Sequence, residues 1–308
     1  MFVNINFSLD IYGQELPNLE KPSIESVTSA SNNNTENFIS TIPEGKIENG
    51  TLAIEKGIEI PITYENINNK TFLLQGDILL SPPTGDSAVG AFDKFIWSDK
   101  WIDNTIPYEI DPNIPNKERI FMAMEHWMNN TPIRFVERNE SNIDVYPNYT
   151  KFLYNHDNNP SDNKRPKCAS FVGMLGNNQT IYVPDWCPTG GLIHEIGHAV
   201  GMWHEHTRCD RDTYIEIHLE NTAPASRHNW QNLCYSDPER EESNPRSPIG
   251  IGEYDYCSIM HYGERAGSIN GKPVMIPKNE VVGCDKIGQI DHLSNGDIIA
   301  VNQIYNNQ

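Results

Sequence analysis

The stretch HEIGHAVGMWHEHTRCDRD, residues 194–212, decides how the rest of the chain is read. His194 and His198 are four apart, so one helix face presents both imidazoles to a single point. His204 lies six residues further on, at roughly 240° around a helix of 3.6 residues per turn. It can join the other two only if the helix stops and the chain turns back. Gly201 stands where a left-handed residue would do that. Three neutral nitrogens with a fourth position open describe a catalytic rather than a structural zinc site. Glu195, between the first two ligands, can reach a water in that open position and take its proton. The blander reading is a buried helix with ordinary histidines.

The long form HExxHxxGxxH resembles the helix of the metzincin zinc peptidases, which also need a methionine turn downstream. Ser258-Ile259-Met260-His261-Tyr262 supplies one. The resemblance narrows further. The run from His204 to Asp212 is similar to the HExxRxDRD signature of the astacin family, and SIMHYG (258–263) to its methionine turn. Gly288-Gln289 with Leu293-Ser294-Asn295-Gly296-Asp297 resembles the family's C-terminal segment. These matches extend from about Trp101 to Tyr305.

The resemblance implies an α+β catalytic domain of the metzincin, zincin-like type. It should have a twisted, mostly antiparallel sheet, a helix behind it and the zinc helix at the cleft floor. It implies zinc, one per chain, on His194, His198 and His204, with Glu195 as general base in peptide-bond hydrolysis. Tyr262 matches the tyrosine that ligates zinc at rest and then stabilises the oxyanion. Met260 provides an apolar floor. Arg208, Asp210 and Arg211 are expected in structural salt bridges, and His206 and His261 as hydrogen-bonded structural histidines. The resemblance joins Cys168 to Cys187. Cys209, Cys234, Cys257 and Cys284 allow three pairings, among which the sequence does not choose.

The first 86 residues read as an inhibitory, partly disordered pro-segment, and 87–308 as the peptidase domain. Residues 23–44 are rich in Ser, Asn and Thr and read as loop. Short alternating runs at 50–64 suggest strands. Phe72-Leu73-Leu74-Gln75-Gly76-Asp77-Ile78-Leu79 is most simply strand, turn and strand. It also resembles the FxGD segment of astacin pro-peptides, which makes Asp77 the zymogen's zinc ligand, displacing the water. Residues 81–86 form a Pro/Gly linker suited to cutting by an activating protease. Ser87 to Gly90 resembles a mature start, whose ammonium the family buries beside the glutamate after the third histidine, here Glu205. The arginine often found at that cut is missing.

Between these landmarks, residues 116–129 carry an amphipathic helix, with Ile120, Met124, Trp127 and Met128 as its core stripe. Residues 101–110, 134–137, 143–146, 169–174 and 180–183 read as strands, and 147–167 as a surface loop. In the resembling family an edge strand just before the zinc helix pairs with extended substrate. Ser294 and Asp297 form a capping-box pattern opening a last helix.

One departure bears on specificity. The family often has a basic residue after Gly-Gln in the C-terminal segment, selecting an acidic residue just after the cut. Here the position is Ile290, beside which an acidic side chain would lose solvation without gaining a partner. No strong acidic preference is expected there, unless Arg265 or Lys272 substitutes.

The chain has 308 residues, 37% hydrophobic, with a formal net charge of -19 and six cysteines. The acidic balance argues against nucleic acid as partner. No apolar run is long enough to cross a bilayer. Six cysteines suit an oxidising, secreted setting, although residues 1–17 lack the pattern of a signal peptide. The expectation is thus a secreted, monomeric zinc endopeptidase acting on protein or peptide substrates. The alternatives are a binding protein that keeps the fold, and a zinc hydrolase of small amides.

Overall fold

A computed structural model describes residues 45–55, 58–67, 71–80, 100–155, 167–234 and 251–305, all within the unit Asn34–Gln308. The polar stretch 23–44, the linker 81–86, the start near Ser87 and much of the loop before Lys167 lie outside the described residues.

The first region supplies β1 (Lys46–Glu55), β2 (Ile58–Asn66), β3 (Phe72–Leu74) and β4 (Ile78–Leu80). The next part runs β5 (Thr105–Ile110), α1 (Glu118–Asn130), β6 (Arg134–Glu137), β7 (Tyr149–Tyr154), β8 (Ala169–Phe171), β9 (Asn178–Val183) and α2 (Thr189–Val200). After α2 come a short α3 (Arg211–Tyr214), β10 (Ile215–Ile217), β11 (Met275–Pro277) and α4 (Asn295–Tyr305). The region between is irregular, with one-turn helices at Glu205–Thr207 and Leu219–Asn221 and a longer 3-10 stretch, Pro224–Trp230.

Among the described residues nine strands form one sheet, in the order β1-β2-β3-β4-β8-β9-β7-β5-β6. The α+β class holds, but the sheet is mixed rather than mostly antiparallel. Pairs β1-β2, β2-β3, β3-β4 and β8-β9 are antiparallel. Pairs β4-β8, β7-β9, β5-β7 and β5-β6 are parallel. The β5-β6 pairing follows from α1, which carries the chain from β5 back to the start of β6, as a crossover helix does. A second correction concerns β7. The strand expected at 143–146 is turn, and the strand lies at Tyr149–Tyr154. There Thr150 and Phe152 alternate inward, at 1% exposure each, and that inward face decides the register.

The main core packs the sheet onto α1 and α2. Ile120, Ala123, Met124 and Trp127 of α1 meet Leu192, Ile193, Ile196 and Ala199 of α2. Three long side chains also hold α2 through its carbonyls. Trp127 Nε1 donates to Ile193 O at 3.0 Å, Trp101 Nε1 to Ala199 O at 2.8 Å, and the Tyr305 hydroxyl to Val200 O at 2.9 Å. The last two satisfy carbonyls that a helix end leaves without intrahelical partners. A second cluster joins the first region to the rest. Leu52, Ile60, Ile62, Tyr64, Leu74, Ile78 and Leu80 pack against Val172, Trp203 and Leu233. Cys168–Cys187 is joined as expected, and the remaining pairings are Cys209–Cys234 and Cys257–Cys284.

Candidate metal centre

Gly201 closes α2 at φ +115°, ψ 9°, in the left-handed region. Its N–H bonds His198 O at 2.8 Å, and Met202 N bonds Gly197 O at 2.9 Å. A Cβ at Gly201 would meet nothing within 4 Å, so backbone conformation and not space requires the glycine. The turn swings His204 back over the helix. The ligand atoms of His194, His198, His204 and Asp77 then lie within 4.8 Å of one another, all buried.

Each imidazole is fixed through Nδ1. His194 meets Ile259 O, His198 meets Met202 O, and His204 meets the side-chain oxygen of Gln75, each at 2.8 Å. These acceptors place the proton on Nδ1 and turn the Nε2 lone pairs inward, the arrangement that orients metal-ligating histidines. Asp77 closes the fourth side, its carboxylate 3.4 Å from His194 Nε2, 3.9 Å from His198 Nε2 and 3.2 Å from His204 Nε2. It sits in the β3-β4 turn, where Gln75 and Gly76 both have positive φ, 54° and 90°.

The buried atoms fit a metal. Both oxygens of Asp77, both of Glu195, and His204 Nε2 have no hydrogen-bond partner among the described residues. Buried polar atoms are rarely left so. Three nitrogens and one carboxylate oxygen are a four-coordinate donor set suited to zinc. Burial pushes the Asp77 carboxyl up, but the three imidazoles outweigh it and hold it well below the carboxylate range. Burial, then the charge of Asp77, push Glu195 well above that range. Burial lowers His198 and His204, keeping them neutral as ligands must be.

Met260 lies under the centre, at 1% exposure. A Cβ on Gly197 would come within 2.7 Å of its sulfur, so the helix glycine makes room for the methionine turn. Asp297 anchors that turn. It accepts from Ser258 Oγ at 2.7 Å, Ile259 N at 2.8 Å and Ser294 N at 2.9 Å. Its own N–H bonds Ser294 Oγ at 2.9 Å, completing the capping box of α4. One carboxylate thus ties the last helix to Ile259, whose carbonyl orients His194.

The Tyr262 ring stacks on His206, centroids 4.0 Å apart, and its hydroxyl donates to the backbone carbonyl of Gln75. Burial, then Asp77 and Glu195, push that hydroxyl well above its ordinary pKa. Gln75 therefore engages both Tyr262 and His204. The sequence reading missed it, and its only signal was its place before Gly76-Asp77. His206 meets Asn229 O at 3.2 Å, and His261 meets Tyr262 O and the Tyr254 hydroxyl, each at 2.7 Å. Arg208 pairs with Asp210 at 2.8 Å and Glu205 at 3.3 Å. Arg211 donates to His206 O at 3.0 Å and Trp230 O at 2.5 Å and pairs with Asp212 at 3.3 Å. All five residues, Asp210 included, take the structural places expected of them.

Glu205 accepts from Asp255 N at 2.8 Å, and burial pushes it up to about 8 against the nearby Arg208. With Asp255, Ser258 and Asp297 it lines a cavity of about 60 Å³. Ile290 is half-buried against the main core and lines a hollow of about 290 Å³ that also includes Lys286. Arg265 and Lys272 are not among the residues lining that hollow. Arg265 donates instead to Gly271 O at 3.2 Å.

The profile of the peptidase family described as Astacin matches residues 96–306. The chain belongs to the astacin family. As an astacin it is 37% identical over 214 residues to a bone morphogenetic protein 1 homolog of Strongylocentrotus purpuratus, a match covering 67% of this chain and 30% of that protein. It is 29% identical over 329 residues to zinc metalloproteinase nas-14 of Caenorhabditis elegans, covering 98% of this chain and 59% of that one. The chain thus spans less than two thirds of either relative. Among solved structures it is similar to high choriolytic enzyme 1, a hatching enzyme zinc-protease of Oryzias latipes. The TM-score is 0.53 at 29% identity, covering 68% of this chain and 94% of that one. Among the described residues no helix is long and apolar enough to cross a membrane.

Proposed function

We propose that the chain is a zinc endopeptidase held as a zymogen, with residues 1–86 as pro-segment and 87–308 as catalytic domain. The observation that carries this reading is the convergence of three Nδ1-anchored imidazoles on one point, with Glu195, unpartnered among the described residues, beside them and Asp77 across the open side. His194, His198 and His204 would hold the metal. Zinc there supplies an activated water and a Lewis acid for the scissile carbonyl.

The chain's own residues do the rest. Glu195 accepts the water's proton on its carboxylate and returns it to the leaving amine nitrogen. Tyr262 donates its hydroxyl to the oxyanion once Gln75 no longer engages it. Strand β8 receives the substrate backbone by strand addition, and not the strand just before the zinc helix, because that strand, β9, lies inside the sheet between β8 and β7; in the zymogen β4 takes that place, with Ile78 opposite Ser170 and Leu79 opposite Phe171. Asp77 excludes the water by filling its position. After a cut near Ser87 the new ammonium enters the cavity beside Glu205. Ile290 gives the first subsite after the cut an apolar wall. The three disulfides favour a secreted protein, acting as a monomer after activation by another protease.

The test is zinc analysis of the purified chain, followed by peptide digestion after removal of the first region. Equimolar zinc and cuts absent with Glu195→Gln support the reading. A zinc-loaded protein that cuts nothing refutes it.

A further inference from the structure

Lys167 makes a buried contact that the chemistry above does not use. It stands just before β8 and is 5% exposed; Glu65 of β2 is 2% exposed. Lys167 Nζ lies 3.2 Å from Glu65 Oε2, while Glu65 Oε1 accepts from Gly45 N at 2.8 Å. Among the described residues Glu65 is the carboxylate that Lys167 meets, and it belongs to the region that activation removes. A buried ammonium whose partner leaves must find water or another carboxylate.

The position of Lys167 says where that carboxylate would come from. Ser170 N donates to Asp77 O at 3.0 Å, so the residue at the metal lies level with Ser170. A substrate added to β8 in the antiparallel sense makes the straighter hydrogen bonds. Its residues after the cut then run back from Ser170 towards Lys167, three positions away, or roughly 10 Å along the strand. A lysine side chain reaches part of that span. We infer that Lys167 is a specificity-determining residue that takes an aspartate or glutamate at the second or third position after the cut, with Glu65 holding its place in the zymogen. This subsite is separate from the one beside Ile290, and it rests on the endopeptidase reading.

The test uses the full chain, activated by limited proteolysis and loaded with zinc, on matched peptides bearing Asp or Asn at those positions. The wild-type enzyme should favour the Asp peptide in kcat/KM about tenfold, the worth of one hydrogen bond to a charged group. Lys167→Met should bring that ratio to about one, through loss of kcat/KM on the Asp peptide. If the single variant fails to fold, Glu65→Lys combined with Lys167→Glu restores the pair with its charges reversed, and that enzyme should favour a Lys peptide instead. A wild-type enzyme that treats Asp and Asn alike at both positions overturns the inference. So does a ratio that survives Lys167→Met, or a reversed pair that still prefers Asp. Failure of the wild-type enzyme to cut either peptide would instead strike the endopeptidase reading, and this inference with it.

Discussion

Replacing Asp297 by alanine removes a carboxylate that is not among the candidate metal ligands, yet it should weaken both the fold and the metal centre. Three donors lose their acceptor: Ile259 N, Ser294 N and Ser258 Oγ. Each buried donor left unsatisfied costs about 1–3 kcal/mol, so the total is about 5 kcal/mol when the carboxyl is protonated. Burial pushes Asp297 from its ordinary 3.8 up to about 6, against the hydrogen bonds from Ser258, Ile259 and Ser294. The folded state therefore binds the proton more tightly than the unfolded state. That stability is fully present below about pH 4 and is lost as pH rises through 6, by about 3 kcal/mol. The cost of Asp297→Ala should then fall from about 5 kcal/mol at pH 4 to about 2 kcal/mol at pH 7. The assay is urea unfolding of the disulfide-intact chain at both values, followed by the fluorescence of buried Trp101, Trp127 and Trp230. Zinc retention should fall in parallel, because Ile259 O orients His194. A cost below about 1 kcal/mol at pH 4, or one that does not shrink as pH rises, would rule out this role for Asp297.

Other expectations follow from single contacts. Gly201→Ala should destabilise the chain by about 1–2 kcal/mol through its positive φ alone, and Gly201→Asn by less; thermal unfolding reads both. Asp77→Ala in the uncut chain should leave zinc bound and raise basal peptide cleavage well above that of the uncut wild type, read by continuous fluorogenic assay. Gln75→Ala should weaken zinc binding roughly tenfold or more in the zymogen but leave the activated enzyme unchanged, as competition with a chelator would report. Ile290→Arg should create a preference for Asp or Glu directly after the cut that the wild-type enzyme lacks, visible in a cleavage profile.

The centre was legible because its information is local. Spacing of four puts His194 and His198 on one face, and a glycine three residues after His198 announces the turn that returns His204. The capping box at Ser294 and Asp297 was legible for the same reason. What escaped depends on contacts between residues far apart in sequence. Gln75 meets His204 and Glu65 meets Lys167 across 129 and 102 residues, and no periodicity marks either. The strand at 149–154 was hidden by its polar flanks, since only Thr150 and Phe152 within it are fully buried. The parallel pairings were invisible because β5, β6, β7 and β9 find their register through the core and not through turns.

Three imidazoles, Glu195 and a removable aspartate are proposed to form a latent peptidase. The most direct measurement is peptide cleavage by zinc-loaded protein before and after removal of the first region, with Glu195→Gln alongside. A latent peptidase should be silent before and cut specifically after, and Glu195→Gln should cut nothing although it binds equal zinc. Equal activity before and after, or cuts that persist in Glu195→Gln, would contradict it.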